Sequence, residues 1–170
     1  TKLVQSADDS YTGTGAGNEA QRHMIGHTPY TYYLYQQVYD ENGMPIQNAF
    51  VDRNGDGQIT EADRYFLHSP MPDYYLGFSS QFKYKQFDLG FKLRANIGNY
   101  SYNELAASNS TSANAYSGMG FLNNLHEAIY DTNFKLTNSS EQKLSDLFLE
   151  DASFLKMDNI TFGYSFNNLF

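Results

Sequence analysis

Two adjacent stretches, Tyr74–Tyr84 (YYLGFSSQFKY) and Phe87–Ile97 (FDLGFKLRANI), decide the fold. In the first, Tyr74, Leu76, Phe78, Phe82 and Tyr84 hold the even positions, interrupted only by Ser80, while Gly77, Ser79, Gln81 and Lys83 hold odd ones. In the second, Phe87, Leu89, Phe91, Leu93, Ala95 and Ile97 alternate with Asp88, Gly90, Lys92, Arg94 and Asn96. Period 2 is the mark of an extended chain, whose successive side chains point to opposite faces. Only Lys85 and Gln86 separate the runs, so they form a hairpin with a tight turn. Eleven residues at about 3.3 Å each give a strand of roughly 36 Å, enough to cross the roughly 25 Å apolar band of an outer-membrane barrel when tilted.

A third strand is expected over Ser153–Phe166. Ile160, Phe162, Tyr164 and Phe166 share one face, and Asn159, Thr161, Gly163 and Ser165 share the other. Its first half breaks phase, with Leu155 and Met157 apolar on the opposite parity, which predicts a bulge or a covered strand end near Asp158. Tyr30–Tyr39 is rich in Tyr on both parities, and Asn42-Gly43 reads as a two-residue turn into Met44–Val51, a second hairpin. Long polar stretches fill the start through Thr28, Asp52–Asp73 and Gly98–Glu150. The result is about five strands, fewer than the eight or more that a closed barrel needs. Long loops alternating with tight turns match outer-membrane asymmetry. The turns at Asn42-Gly43 and Lys85-Gln86 are expected in the periplasm, with the long stretches outside.

Composition agrees with a chain greasy on one face and wet on the other. Fifteen Tyr and 13 Phe make 16% aromatics, while charged residues are 18% and mean hydropathy is −0.58. So many rings argue against disorder. No run approaches the roughly 18 apolar residues of a membrane helix, which leaves strands as the spanning element. No charged start followed by an apolar run opens the chain, so an export signal is expected upstream unless the protein is cytoplasmic. The absence of Cys excludes disulfides, thiolate metal sites and cysteine nucleophiles. A net charge of −8 without a basic stripe argues against nucleic acid.

One motif carries chemistry. Asp52, Asn54 and Asp56, with Gly57, the Gln58 carbonyl and Asp63, match a calcium loop: oxygen ligands at positions 1, 3, 5, 7 and 12 and a glycine at 6. The stretch before it contains Gly43 and Pro45 and reads as extended, so this is a loop without the helix of an EF-hand. Two readings stand: a structural Ca2+ site, or a Gly-rich turn stiffened by Asp and Asn bonding their own backbone. His23 and His27, four apart, lack a third ligand and a helix, and read as surface histidines. No triad or carboxylate pair points to an enzyme. Asp88, Lys92 and Arg94 share a polar strand face, where they either line a lumen or are merely solvated. Tyr84, Phe87, Tyr100, Tyr102 and Tyr164 lie near strand ends, where an interfacial girdle sits. Tyr100, Tyr102 and Tyr116 are loop rings able to stack on sugars, but no substrate-binding residue is assigned.

The order of these signals resembles the late barrel of SusC-like TonB-dependent transporters. The resemblance is carried by DRNGDGQITEAD (52–63), Pro72, Gly77-Phe78, FKYKQFDL (82–89) and, most specifically, FLEDASFLKMDNITFGY (148–164). It covers roughly the whole chain and is weakest from Ser101 to Asn138. It implies an all-β chain, residues 1–170 being an incomplete segment of a 22-stranded antiparallel transmembrane barrel with long extracellular loops, and residues 52–63 a calcium-loop-like insertion. It also implies a bacterial outer-membrane location in contact with lipid, import of oligosaccharides or peptides, a SusD-like surface lipoprotein as lid, and energy from the TonB complex through an N-terminal part not present here. The alternative is a secreted, calcium-stabilised β-sheet binding module, dockerin-like or glycan-binding. That module would be a soluble monomer. A barrel segment instead exposes an apolar face far larger than soluble proteins tolerate.

Overall fold

The computed structural model describes residues 2–4, 10–12, 20–115 and 120–166. Tyr116 lies outside them. Strands run in chain order β1 (Ser10–Thr12), β2 (Gln21–His23), β3 (Thr31–Leu34), β4 (Gln37–Tyr39), β5 (Pro45–Phe50), β6 (Tyr65–Phe66), β7 (Tyr74–Tyr84), β8 (Phe87–Ile97), β9 (Tyr100–Tyr102), β10 (Leu149–Asp151) and β11 (Phe154–Tyr164). Between β9 and β10 the described residues hold the short helices α1 (Glu104–Asn109), α2 (Ile129–Thr132) and α3 (Ser140–Lys143). The chain divides into two compact units: a lobe of Thr1–Pro70 with Ser101–Glu150, and a sheet unit of Met71–Tyr100 with Asp151–Phe170.

The sheet unit is one antiparallel sheet in the order β11-β8-β7, each strand eleven residues long. β7 and β8 pair without a slip from Tyr74↔Ile97 to Tyr84↔Phe87, around a turn in which Lys85 adopts φ +53°. The expected bulge is present: Met157 faces Leu93 and Asn159 faces Lys92, leaving Asp158 as the extra residue. This repairs the phase break. Leu155 and Met157 before the bulge lie on the same face as Ile160, Phe162 and Tyr164 after it, opposite Ala95, Leu93, Phe91, Leu89 and Phe87. One inserted residue switches parity, because facing alternates at every position.

The lobe holds the sheet β1-β2-β3-β6, the hairpin β4–β5 and the short helices. Its apolar centre is small, with Leu34, Tyr35, Phe134, Leu144 and Phe148 all buried. Much of its interior is polar. Gln37 is the hub: its amide nitrogen Nε2 donates to the carbonyls of Ile46 (2.8 Å), Ala49 (3.1 Å) and Val38 (3.0 Å). Its Oε1 accepts from Gln142 Nε2 (2.8 Å) and Ser145 Oγ (3.0 Å). The Gln142 Oε1 in turn accepts from the Asn48 N–H, at a residue held in the left-handed region (φ +61°), which Asn tolerates.

The second hairpin forms, but differently from the expectation. Tyr30–Tyr39 divides into β3 and β4, which belong to different sheets, because rings on both parities give no single face to bury. Between them Tyr35 exchanges backbone hydrogen bonds with the Leu144–Asp146 segment. The turn is not the two-residue Asn42-Gly43 type: Tyr39 pairs with Pro45, and Asp40 Oδ1 accepts from the N–H groups of Asn42 and Met44, both at 2.8 Å. Six residues, the longer strand of this hairpin, extend only about 20 Å, short of the apolar band. Among the described residues three strands therefore have barrel length. Gln47 binds the backbone of Lys135 and Leu136, so the Asn42-Gly43 turn lies in the same unit as the long polar stretches and not on the opposite side of a membrane.

Candidate functional site

The sheet has one apolar and one polar face. On the apolar face Phe91 stands at the centre, its ring 5.8 Å from Phe78 and 6.2 Å from Phe82, with Ile160 across the other edge. Phe82 remains 58% exposed, Ile160 65% and Leu155 74%, which is a surface built for an apolar surrounding. At the turn end Tyr84, Phe87, Tyr164 and Phe166 gather, with Phe87 4.8 Å from Tyr164 and Tyr164 4.7 Å from Phe166. Of the rings expected in a girdle, Tyr84, Phe87 and Tyr164 gather here, while Tyr100 and Tyr102 belong to β9. Tyr102 belongs to the buried interior of the lobe, its hydroxyl donating to the Lys143 carbonyl, and burial pushes that hydroxyl's pKa up. Tyr102→Phe should lower lobe stability by about 1 kcal/mol in a denaturant titration, the usual net worth of a single hydrogen bond.

On the polar face β7, β8 and β11 align in rows: Lys83–Asp88–Gly163, Gln81–Gly90–Thr161, Ser79–Lys92–Asn159 and Gly77–Arg94–Lys156. Asp88, Lys92 and Arg94 thus do share one face. The Asp88 carboxylate lies across Gly163, where any Cβ would collide with both its oxygens. Gly90 leaves a shallow depression rimmed by Gln81, Asp88, Lys92, Asn159 and Thr161. The bulge residue Asp158 pairs with Arg94 (Nε to Oδ1, 3.0 Å). The bulge is legible in the sequence, whereas this ion pair and the place of Lys156 beside Arg94 are not read directly from the alternation. Both follow once the parity switch is applied.

In the Asp52–Asp63 loop the side chains turn on the loop itself. Asp52 accepts from the N–H of Gly55 (2.6 Å) and Gly57 (2.8 Å), Asn54 Oδ1 from Asp56, and Asp56 Oδ1 from Gln58. Asp63 is fully buried. Its Oδ1 accepts from Arg53 and Asn54 and its Oδ2 from Thr60, closing a capping box on the turn Glu61–Asp63. The Thr60 N–H, followed by those of Arg53 and Asn54, holds its pKa below the usual carboxylate range. Among the described residues no three His, Asp or Glu side chains are placed to hold a metal ion. The loop's N–H groups thus bond to its own Asp and Asn side chains, and Asp63, at the last position of the calcium-loop spacing, caps the turn. Nor do His23 and His27 form a ligand pair: His23 meets the edge of Tyr30 at 4.6 Å, and His27 stacks on Phe66 at 4.1 Å.

Strands of membrane-crossing length, an apolar face ending in a ring girdle and a polar face of charges and glycines define a segment of a transmembrane β-barrel wall. The relatives are consistent with this. The TonB-dependent receptor SusC of Bacteroides thetaiotaomicron is 39% identical over 178 residues, 99% of this chain and 17% of that protein. TonB-dependent receptor P3 of Formosa agariphila is 29% identical over 153 residues, 78% of this chain and 14% of that protein. The structure of the RagAB peptide transporter superposes with a TM-score of 0.58 over 89% of this chain and 18% of that chain, at 20% identity, and so shares the fold. No family model matches the chain. The chain belongs to the SusC-like TonB-dependent receptors, proteins of the bacterial outer membrane, and spans less than a fifth of the length of these relatives.

Proposed function

We propose that this chain is part of an active transporter that imports oligosaccharides or peptides across the outer membrane, capped by a SusD-like lipoprotein and energised by the TonB complex. The likeness to SusC over 99% of the chain carries this reading. An oligosaccharide cargo is what the family resemblance of the sequence implies, and a peptide is what the RagAB neighbour carries. In this reading the polar face of β7, β8 and β11 looks into the lumen, the apolar face meets lipid, and the chain performs no chemistry on its cargo. The test is growth of cells lacking the full-length receptor on panels of oligosaccharides and peptides. Loss of growth on one cargo class, restored by the intact gene, supports import. Unimpaired growth on every member, with no lipoprotein co-purifying with the receptor, would sink it.

The Asp52–Asp63 loop we read as a clasp closed by its own backbone, with Asp63 where a calcium loop would have its last ligand. Asp63→Ala should quicken proteolysis of the loop by about tenfold, one buried hydrogen-bonding group's worth, equally in calcium and in chelator. Calcium-dependent protection of the unaltered loop would restore the cation reading. Because Asp63 titrates below its unfolded value, its contribution is complete above the ordinary carboxylate pKa and disappears as pH falls through the lowered folded value. Protease resistance of the loop should follow that order in an acid titration.

A further inference from the structure

The polar face of the sheet carries a charge opposite to that of the chain. Lys83, Lys92, Arg94 and Lys156 put four of the eleven Lys and Arg residues there, against two of nineteen carboxylates, Asp88 and Asp158, in a chain of net charge −8. Three of the cations are packed into two adjacent rows: Arg94 directly opposite Lys156, and Lys92 in the next row. Like charges directly opposed across strands are unfavourable, and ordinary sheet faces avoid them. Asp158 relieves Arg94 alone. Asp88 stands four residues from Lys92 along β8, about 13 Å away and beyond the roughly 8 Å Debye length of physiological salt. Neither Lys92 nor Lys156 has an ion-pair partner among the described residues.

The positions flanking these cations are small and neutral. Gly77 lies beside Arg94, while Ser79 and Asn159 lie either side of Lys92. Their side chains supply no counter-charge, and Gly77 leaves open space above the sheet. Two cations in adjacent rows, without ion-pair partners among the described residues, focus positive potential into the space they face. We propose that Lys92 and Lys156 form a subsite for an anionic group, a carboxylate, sulfate or phosphate, carried by a solute in the barrel lumen. The proposal rests on the reading that this face lines the lumen.

The test uses the purified full-length receptor in detergent with two probes, a sulfated hexasaccharide and its desulfated counterpart. The sulfated probe should bind at least about tenfold more tightly at low salt, and the preference should fade as salt rises. The double variant Lys92→Gln/Lys156→Gln should lose the preference while keeping the receptor's heat-modifiable electrophoretic mobility. Equal binding of the two probes, binding of neither, or a preference that survives in the double variant overturns the subsite. Labelling separates this from failure of the transport reading. In a cysteine-free background, Lys92→Cys should react with a polar thiol reagent and Phe91→Cys should not. Reactivity in the reverse order would reject a lumenal face altogether. The expected order, without a sulfate preference, rejects only the anion subsite.

Discussion

A full-length receptor carrying Phe91→Arg should fail to assemble in the outer membrane, and one carrying Lys92→Ala should assemble nearly as well as the parent. The two residues are neighbours on β8 but belong to opposite faces. Phe91 lies at the centre of the apolar face, against Phe78, Phe82 and Ile160. An Arg near the midplane of the lipid face costs about 2–4 kcal/mol, because the guanidinium must be hydrated or carried to the interface. That is on the order of a hundredfold in the ratio of assembled to unassembled receptor. Lys92 faces Ser79 and Asn159 on the wet side, where truncation removes a solvated amine and no buried contact. Heat-modifiable mobility of membrane extracts reads assembly directly. Equal tolerance at the two positions would mean that neither face meets lipid.

The second large effect is expected in the lobe. Gln37→Leu should lower its stability by about 3–5 kcal/mol, the sum of a few unsatisfied buried groups at about 1–3 kcal/mol each. The side-chain amide of Gln37 donates to three carbonyls of the β4–β5 hairpin and accepts from Gln142 and Ser145, and both glutamines are buried. Leu fills the same space but leaves the Gln142 amide and the Ser145 hydroxyl facing an apolar group. The adjoining Asp146 adds to the network, accepting from the Gln37 backbone N–H at 2.9 Å and the Tyr65 hydroxyl at 2.7 Å. Limited proteolysis of the assembled receptor measures the effect, with cleavage expected in the lobe while the β7-β8-β11 sheet stays protected. Unchanged resistance would show that the lobe is held by other contacts.

The sheet was legible because its information is local. Alternation over Tyr74–Tyr84 and Phe87–Ile97 specified facing, hairpin and length without any knowledge of partners. The parity break at Leu155 and Met157 even located the bulge, since facing along a strand is a strict count. The lobe was not legible in that way. Tyr102 has the same neighbours in sequence as any interfacial Tyr, yet it is buried and bonded to Lys143, 41 residues away. Gln37 reads as a polar residue at a strand start, and only its bonds to Gln142 and Ser145, 105 and 108 residues distant, make it a core residue.

The Asp52–Asp63 loop shows the same division at a smaller scale. Spacing by itself is shared by a cation shell and a self-bonded turn, because both need alternate oxygens directed inward around a glycine. The burial of Asp63 and the direction of its hydrogen bonds are set by the backbone that surrounds it, which spacing does not record.

What the sequence determined alone was the two-faced sheet: which residues form the apolar face, which form the polar one, how long the strands are and where the extra residue sits. These follow from a period of 2 that needs no distant contact. Only the tertiary structure decided that the long polar stretches gather with the short hairpin into a lobe, that its interior is joined by side-chain amides, and that Lys92, Arg94 and Lys156 form one cationic patch. Each of these depends on pairings across many tens of residues. Such pairings are set when backbone and amide groups must find partners away from water, a demand that local pattern does not record.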